Sequence, residues 1–271
     1  MSGAVAAFDA YRAGPDHWAL GRFVVPIGRV AELVAAVRSL SLLDRSLPWP
    51  VSVVAGPEVA ADGAALSALR DAHRGVVLMD SVESRASTPH EATTSGELVK
   101  AGFEVFVELA PTGNLEPLMD AISLAGAAAK LRTGGTAPDA FPAPTAVLRF
   151  LRAAHRAGVR CKATAGLHHP VRGEFPLTYE PHSPRGMMYG YLNLLLAAAL
   201  VFDDRDDDAV LAVLQEENRD AFTIAGETLE WRDERFPLAL IDAVRSRFIT
   251  GFGSCSFREP LDEVPPRLVH A

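Results

Sequence analysis

Of the 26 basic residues in this 271-residue chain, three are lysines (Lys100, Lys130 and Lys162) and the remaining 23 are arginines. A guanidinium stays protonated at any workable pH, so a lysine retained in such a chain marks a place where an amine could lose its proton and act as a nucleophile. A genome that favours arginine codons would leave the same three by accident, so their setting has to decide. Two of them share it. Lys130-Leu131-Arg132-Thr133-Gly134 and Lys162-Ala163-Thr164-Ala165-Gly166 each place a lysine four residues before a glycine. Alternate residues share one face of a strand, which groups Lys130 with Arg132, and Lys162 with Arg160 and Thr164. Burial and a neighbouring cation both favour the neutral form of an amine, and Schiff-base chemistry requires that form. An equally open reading makes the two lysines fixed charges, holding a phosphate or carboxylate or paired with Glu108. Glu108 shares a strand face with Glu104 and Phe106.

Histidines form a second group. His168 and His169 follow the Lys162 segment directly, and His182 lies further on with Glu174 and Glu180 nearby. Histidines with a carboxylate can hold a divalent ion. Adjacent residues of a regular strand point to opposite faces, however, which favours His168 as an acid–base group near neutral pH and His169 as a substrate contact. A third group is Gly251-Phe252-Gly253-Ser254-Cys255-Ser256-Phe257. The backbone N–H groups of such a glycine- and serine-rich stretch can cradle an anion, making Gly253, Ser254 and Cys255 binding candidates. Cys255 is also a candidate thiol nucleophile, whereas Cys161 is expected in the core. Asp80 and Glu83 are further acid–base candidates.

Short apolar runs must position these groups. Strands are expected at Phe23–Ile27, Val51–Ala55, Val76–Met79, Glu104–Leu109, Ala127–Arg132, Arg160–Ala165, Ala221–Ile224 and Ile249–Ser254. Helical spacing lies between them at Val30–Leu40, Ala64–Ala72, Leu115–Ala125, Thr145–Ala157, Met187–Phe202, Ala209–Asn218 and Leu238–Arg245, with Asp207 or Asp208 as an N-cap. Eight strands alternating with helices predict a single (β/α)8 TIM-type barrel over residues 1–271. Residues 1–20 would form an N-terminal helical cap, and residues 170–186, rich in proline, an active-site loop. An open doubly wound parallel sheet is the alternative. In both folds the lysine and histidine segments reach the carboxyl ends of strands, where such sheets place their sites.

The two lysine motifs, with a helix between them, resemble the deoxyribose-phosphate aldolase pattern K-T-S-T-G, helix, K-[AP]-[SA]-G-G. Gly251-Phe252-Gly253-Ser254-Cys255-Ser256 is similar to that family's F-G-[AT]-S-S. The resemblance covers roughly 45 residues. It implies a class I aldolase in which Lys130 forms the Schiff base, Lys162 tunes it and assists proton transfer, and Gly253 and Ser254 contact a phosphate. Arg132 stands where the family has a small polar residue, and the lysines fall one strand earlier. About 90 residues separate Lys162 from Gly253, so a further strand and the Pro170–Pro184 loop are expected between them.

Composition narrows the partners. An apolar content of 49% excludes a disordered chain, and two cysteines exclude a disulfide scaffold. A net charge of −8 argues against nucleic acid. The most apolar stretch, Met187–Phe202, is shorter than the roughly 18–20 residues that cross a bilayer and contains Asn193, so no membrane partner is expected. With no signal segment visible, a cytoplasmic protein follows, for which a homodimer is allowed. Neither G-x-G-x-x-G nor a Walker motif occurs, so no cofactor is expected. The combined expectation is a lyase acting on a small anionic carbonyl compound. Lys130, Lys162, Glu108 and His168 would carry the chemistry, and Arg132, Thr133, Gly134, Thr164, Gly166, His169, Gly253, Ser254 and Cys255 would bind substrate. A metal-dependent hydrolase or isomerase using His168, His169 and His182, and a non-catalytic anion-binding barrel, are the competing classes.

Overall fold

The computed structural model describes residues 1–40, 48–56 and 59–264. The chain divides into two compact units, one made of residues 1–108 and 121–128, the other of residues 109–120 and 129–271. Its strands are β1 (Phe23–Pro26), β2 (Trp49–Val54), β3 (Val77–Arg85), β4 (Glu104–Leu109), β5 (Ala128–Arg132), β6 (Cys161–Thr164), β7 (Gly173–Pro176), β8 (Arg185–Met188), β9 (Phe222–Ala225), β10 (Thr228–Trp231), β11 (Glu234–Pro237) and β12 (Ile249–Gly253). Seven of them form one sheet in the open order β1-β2-β3-β4-β5-β6-β12. The fold is therefore α/β with a parallel seven-stranded sheet rather than a closed barrel of eight strands.

In the first unit β2 and β4 are apolar at most positions, whereas β3 carries Asp80, Ser81, Glu83, Ser84 and Arg85. Val53, Val82 and Val105 lie in register and are buried on one face. The opposite face is polar. Ser52 is in register with Ser81, and Glu83 and Glu108 follow along it, all four buried. Ser52 Oγ lies 3.1 Å from Ser81 Oγ and donates to Glu83 Oε1 at 3.3 Å, while Arg85 pairs with Glu108 at 3.0 Å. Buried polar groups need such partners, since an orphaned one costs about 1–3 kcal/mol. Asp80 is held by a two-pronged bond from Arg22, at 2.7 and 3.0 Å. The helix Ser2–Ala13 docks through Phe8, whose ring lies 5.3 Å from Phe23 and 4.9 Å from Trp49.

In the second unit β5, β6 and β12 are parallel neighbours. The strand expected at Ala221–Ile224 forms as β9 but does not join them. It pairs antiparallel with β10, and β10 with β11, through two-residue connections whose first residues, Gly226 and Arg232, have positive φ of 59° and 52°. Turns this short can only return the chain antiparallel, because a parallel crossover needs a dozen or so residues. For that reason β12 takes the place beside β6. The proline-rich segment is likewise not a plain loop: β7 and β8 form an antiparallel hairpin.

That hairpin also displaces the start of the apolar helix, which runs Tyr191–Phe202 rather than from Met187. Gly190, its N-cap, is packed so closely that a Cβ there would stand 2.4 Å from the Pro170 carbonyl oxygen. Asn193, fully buried in this helix, is satisfied on both sides. It donates to the carbonyls of Val213 and Glu216 at 2.7 and 2.8 Å and accepts from the Arg172 amide at 2.8 Å. The next helix, Asp207–Leu214, is capped by Asp206, one residue earlier than expected; its carboxylate accepts from the Ala209 amide.

Candidate functional site

Parallel register sets out the first group of candidates. Lys130 pairs with Lys162, and Arg132 with Thr164, which is in turn opposite Gly253. Register partners in a parallel ladder share a face, so the two lysines form one row and Arg132, Thr164 and Gly253 the next row toward the strand ends. Lys130 is 6% exposed.

Beyond that row the chain turns sharply. Ala165 and Gly166 have consecutive positive φ values of 68° and 73°. A left-handed alanine costs about 1–2 kcal/mol, which fixed partners must offset. Buried Thr133 donates its hydroxyl to the Ala165 carbonyl at 2.7 Å, and the Ala165 amide donates to the Gly253 carbonyl at 3.2 Å. Gly134 and Gly166 let the two strand ends close under Phe141. A Cβ on Gly134 would lie 2.6 Å from that ring and 3.1 Å from Gly166 Cα. Thr133, Gly134 and Gly166, expected as substrate contacts, thus have their contacts in the turn itself.

The turn buries Leu167 and delivers His168 to a second group. The Cys255 sulfur lies 3.4 Å from His168 Nε2, and His168 Nδ1 donates to Glu259 Oε2 at 2.7 Å. Ser254 Oγ lies 3.3 Å from the same Nδ1, and the Tyr179 hydroxyl donates to Glu259 Oε2 at 2.9 Å. Cys255 is exposed, whereas the His168 side chain is 15% exposed. The sulfur contact, followed by the Glu259 hydrogen bond, raises the imidazole from 6.5 to about 9 against the effect of burial. Reciprocally, the His168 contact holds the Cys255 thiol below its ordinary 9.0. Burial raises Glu259, but bonds from His168 and Tyr179 outweigh it and keep the carboxyl below its usual value. Cys161, fully buried, has its thiol pushed up to about 12 by desolvation.

His169 diverges from His168, as adjacent residues should. It pairs with Glu263 at 2.9 Å and stacks on Phe175 of β7 with 3.4 Å between ring centroids. Phe175 and Glu263 also bound a cavity of about 220 Å³ with Arg172, Arg219 and Glu217. His182 is exposed in the β7–β8 connection. Among the described residues no group of three or more His, Cys, Asp or Glu is arranged to hold a metal ion. Glu108 belongs to the first unit, where Arg85 pairs with it.

Two members of the His168 cluster, Glu259 and Tyr179, were not anticipated from the sequence. A signal for Glu259 exists: β12 ends at Gly253 and is followed by Ser254-Cys255-Ser256 and then a short helix, Arg258–Asp262, in which Glu259 stands four residues past the thiol. Tyr179 carries no comparable mark, since it lies 80 residues from Glu259 in the chain.

No family model matches the chain, and no curated protein matches it. Among solved structures it is similar to one described as "a putative fructose-1,6-biphosphate aldolase from Coccidioides immitis", at 16% identity and a TM-score of 0.37. The alignment covers 66% of this chain and 63% of that one, so the chain spans less than two thirds of that protein's length. With no matching family model, the chain is not assigned to the deoxyribose-phosphate aldolases, and the resemblance stays local to the lysine motifs and the β12 segment. No described helix is long and apolar enough to cross a membrane.

Proposed function

We propose that the chain is a lyase-type enzyme acting on a small anionic carbonyl compound through a lysine amine. What supports this reading is the in-register pairing of Lys130 with Lys162 on adjacent parallel strands, with Lys130 buried. Schiff-base chemistry needs an amine able to shed its proton, which among the basic side chains a lysine can do and an arginine cannot. The neutral amine adds to the substrate carbonyl, and loss of water leaves an iminium. That iminium accepts the electron pair of the breaking C–C bond as an enamine. Arg132, one step along the same face, suits a carboxylate or phosphate, which a guanidinium binds in two-pronged fashion. Proton transfers in this reaction fall to Lys162, the amine in register with Lys130.

The test is reductive trapping. Folded protein is incubated with a panel of small aldehydes, ketones and keto acids plus borohydride, beside Lys130→Met and Lys162→Met variants, and intact mass is measured. An adduct that disappears in one variant identifies the Schiff-base lysine. Absence of any adduct from folded wild-type protein overturns the reading.

A further inference from the structure

We propose that Cys255 is the nucleophile of a thiol-dependent acyl-transfer site, with His168 as its base and Glu259 orienting the imidazole, acting on thioesters or oxygen esters of small acids. This site is separate from the lysine chemistry and does not depend on it.

Geometry carries the assignment. The two nitrogens of one imidazole face different groups, Nε2 at 3.4 Å from the Cys255 sulfur and Nδ1 at 2.7 Å from the Glu259 carboxylate, with Ser254 Oγ 3.3 Å from the same Nδ1. A carboxylate bound to Nδ1–H fixes the tautomer and leaves the Nε2 lone pair for the thiol proton, the relation that a nucleophile, a base and an orienting group require. Glu259 is itself held in place, because Tyr179, reaching in from the β7–β8 connection, donates to the same oxygen. The three groups come from the turn after β6, the segment after β12 and the helix that follows it, so their meeting is set by the fold and not by chain proximity.

Exposure separates this cysteine from an ordinary one. Structural cysteines are commonly buried and inert, as Cys161 is, whereas Cys255 is open to solvent. The protonation tendencies agree, with the thiol lowered and the imidazole raised. A lowered thiol has a larger thiolate fraction below its ordinary 9.0 than a free cysteine, and the raised imidazole beside it is able to protonate a leaving group.

The reaction balances without another reactant than water. The Cys255 sulfur bonds to the acyl carbon, the bond from that carbon to the leaving oxygen or sulfur breaks, and His168 gives its Nε2 proton to the departing group. Water then attacks the acyl-cysteine while His168 takes a proton from it. The C–S bond breaks, the carboxylic acid leaves, and the thiolate–imidazolium pair is restored. The sum is ester plus water to acid plus alcohol or thiol.

Two readouts test the proposal on the full chain. The first is the rate of alkylation by iodoacetamide across pH, with the site located by peptide mass. The second is acetyl transfer from p-nitrophenyl acetate and from a simple acetyl thioester, followed as a nitrophenolate burst and as acetylated protein. Wild-type protein is expected to take one label, on Cys255 and none on Cys161, at a rate that persists below the ordinary thiol value of 9.0. His168→Asn should return that profile to an ordinary thiol, Glu259→Gln should shift it partway, and Cys255→Ser should take neither label nor acetyl. Glu259 lies on a short surface helix, so its variant keeps the test sound even where His168→Asn fails to fold. A wild-type profile that rises only around the ordinary thiol value overturns the proposal, and so does an acetyl group that never reaches Cys255. Borohydride plays no part, so this result and the lysine trapping stand or fall separately.

Discussion

The lysine row and the thiol cluster lie in the same compact unit and are built in opposite ways. Lys130 and Lys162 sit inside regular strands, one residue on each, and a single register places them together. The thiol cluster takes His168 from a turn, Cys255 from the segment after a strand, Glu259 from a short helix and Tyr179 from a hairpin connection. Ladder hydrogen bonds recur with a fixed period, so a strand-borne row tolerates local change. A turn-borne cluster depends on a few particular contacts, and each of them should be separately breakable.

Gly166→Ala is the most damaging of these breaks. It adds a Cβ 2.9 Å from the Phe141 ring and 3.2 Å from Gly134 Cα, at a backbone φ of 73°. Overpacking of this kind costs about 1–3 kcal/mol and a left-handed non-glycine residue about 1–2 more. Urea unfolding should therefore show a loss of about 2–5 kcal/mol, and the displaced His168 should leave Cys255 with an ordinary alkylation profile. An alanine variant with unchanged stability and an unchanged profile would show that the turn does not position the cluster.

The same contrast explains what could be read in advance. The strand Glu104–Leu109 and the helices around Val30–Ser39 and Pro144–Arg156 were foreseen because their burial pattern is written in apolar spacing. The lysine row followed from two like-spaced motifs on strands that proved adjacent. Ala221–Ile224 was recognised as strand-like, yet periodicity carries no information about the partner, and the two-residue turns at Gly226 and Arg232 sent it into a separate antiparallel sheet. Proline and glycine between Pro170 and Pro184 concealed a hairpin. His168, Ser254 and Cys255 were each singled out, but as separate roles. Their joining depends on a bond between residues 91 apart in the chain, His168 and Glu259, which no local pattern encodes.

Glu259→Gln is expected to have the next largest effect. It removes the charge that holds Nδ1–H while keeping the side chain's size. The alkylation rate near neutral pH should fall severalfold, because the imidazole loses the carboxylate that orients it toward the sulfur, an effect expected to outweigh relief of the Glu259 charge, which by itself raises the thiol. The readout is the iodoacetamide rate at fixed pH, where the lysine row is silent. A rate equal to wild type would mean that His168 needs no orienting carboxylate and would reduce the cluster to a Cys–His pair.

The smallest effect is on stability against pH, and its sign can be worked out. His168 is raised from 6.5 to about 9, so its contribution is complete below pH 6.5 and is lost as the pH climbs through about 9. Cys255 is lowered from 9.0, so its contribution is complete above that pH and is lost as the pH falls through the folded value. Each charge is held by the other, and the mutual stabilisation is therefore greatest where both are charged, below about 9 and above the lowered thiol value. Cys255 is exposed, and a solvent-screened pair contributes no more than about 1 kcal/mol. Urea midpoints for wild type and Cys255→Ser, measured across roughly pH 5 to 10, should differ most in the middle of that range and converge at both ends. A difference that is constant with pH would mean that sulfur and imidazole meet as neutral neighbours, and the contrast between a strand-borne amine site and a turn-borne thiol site would then lose its second member.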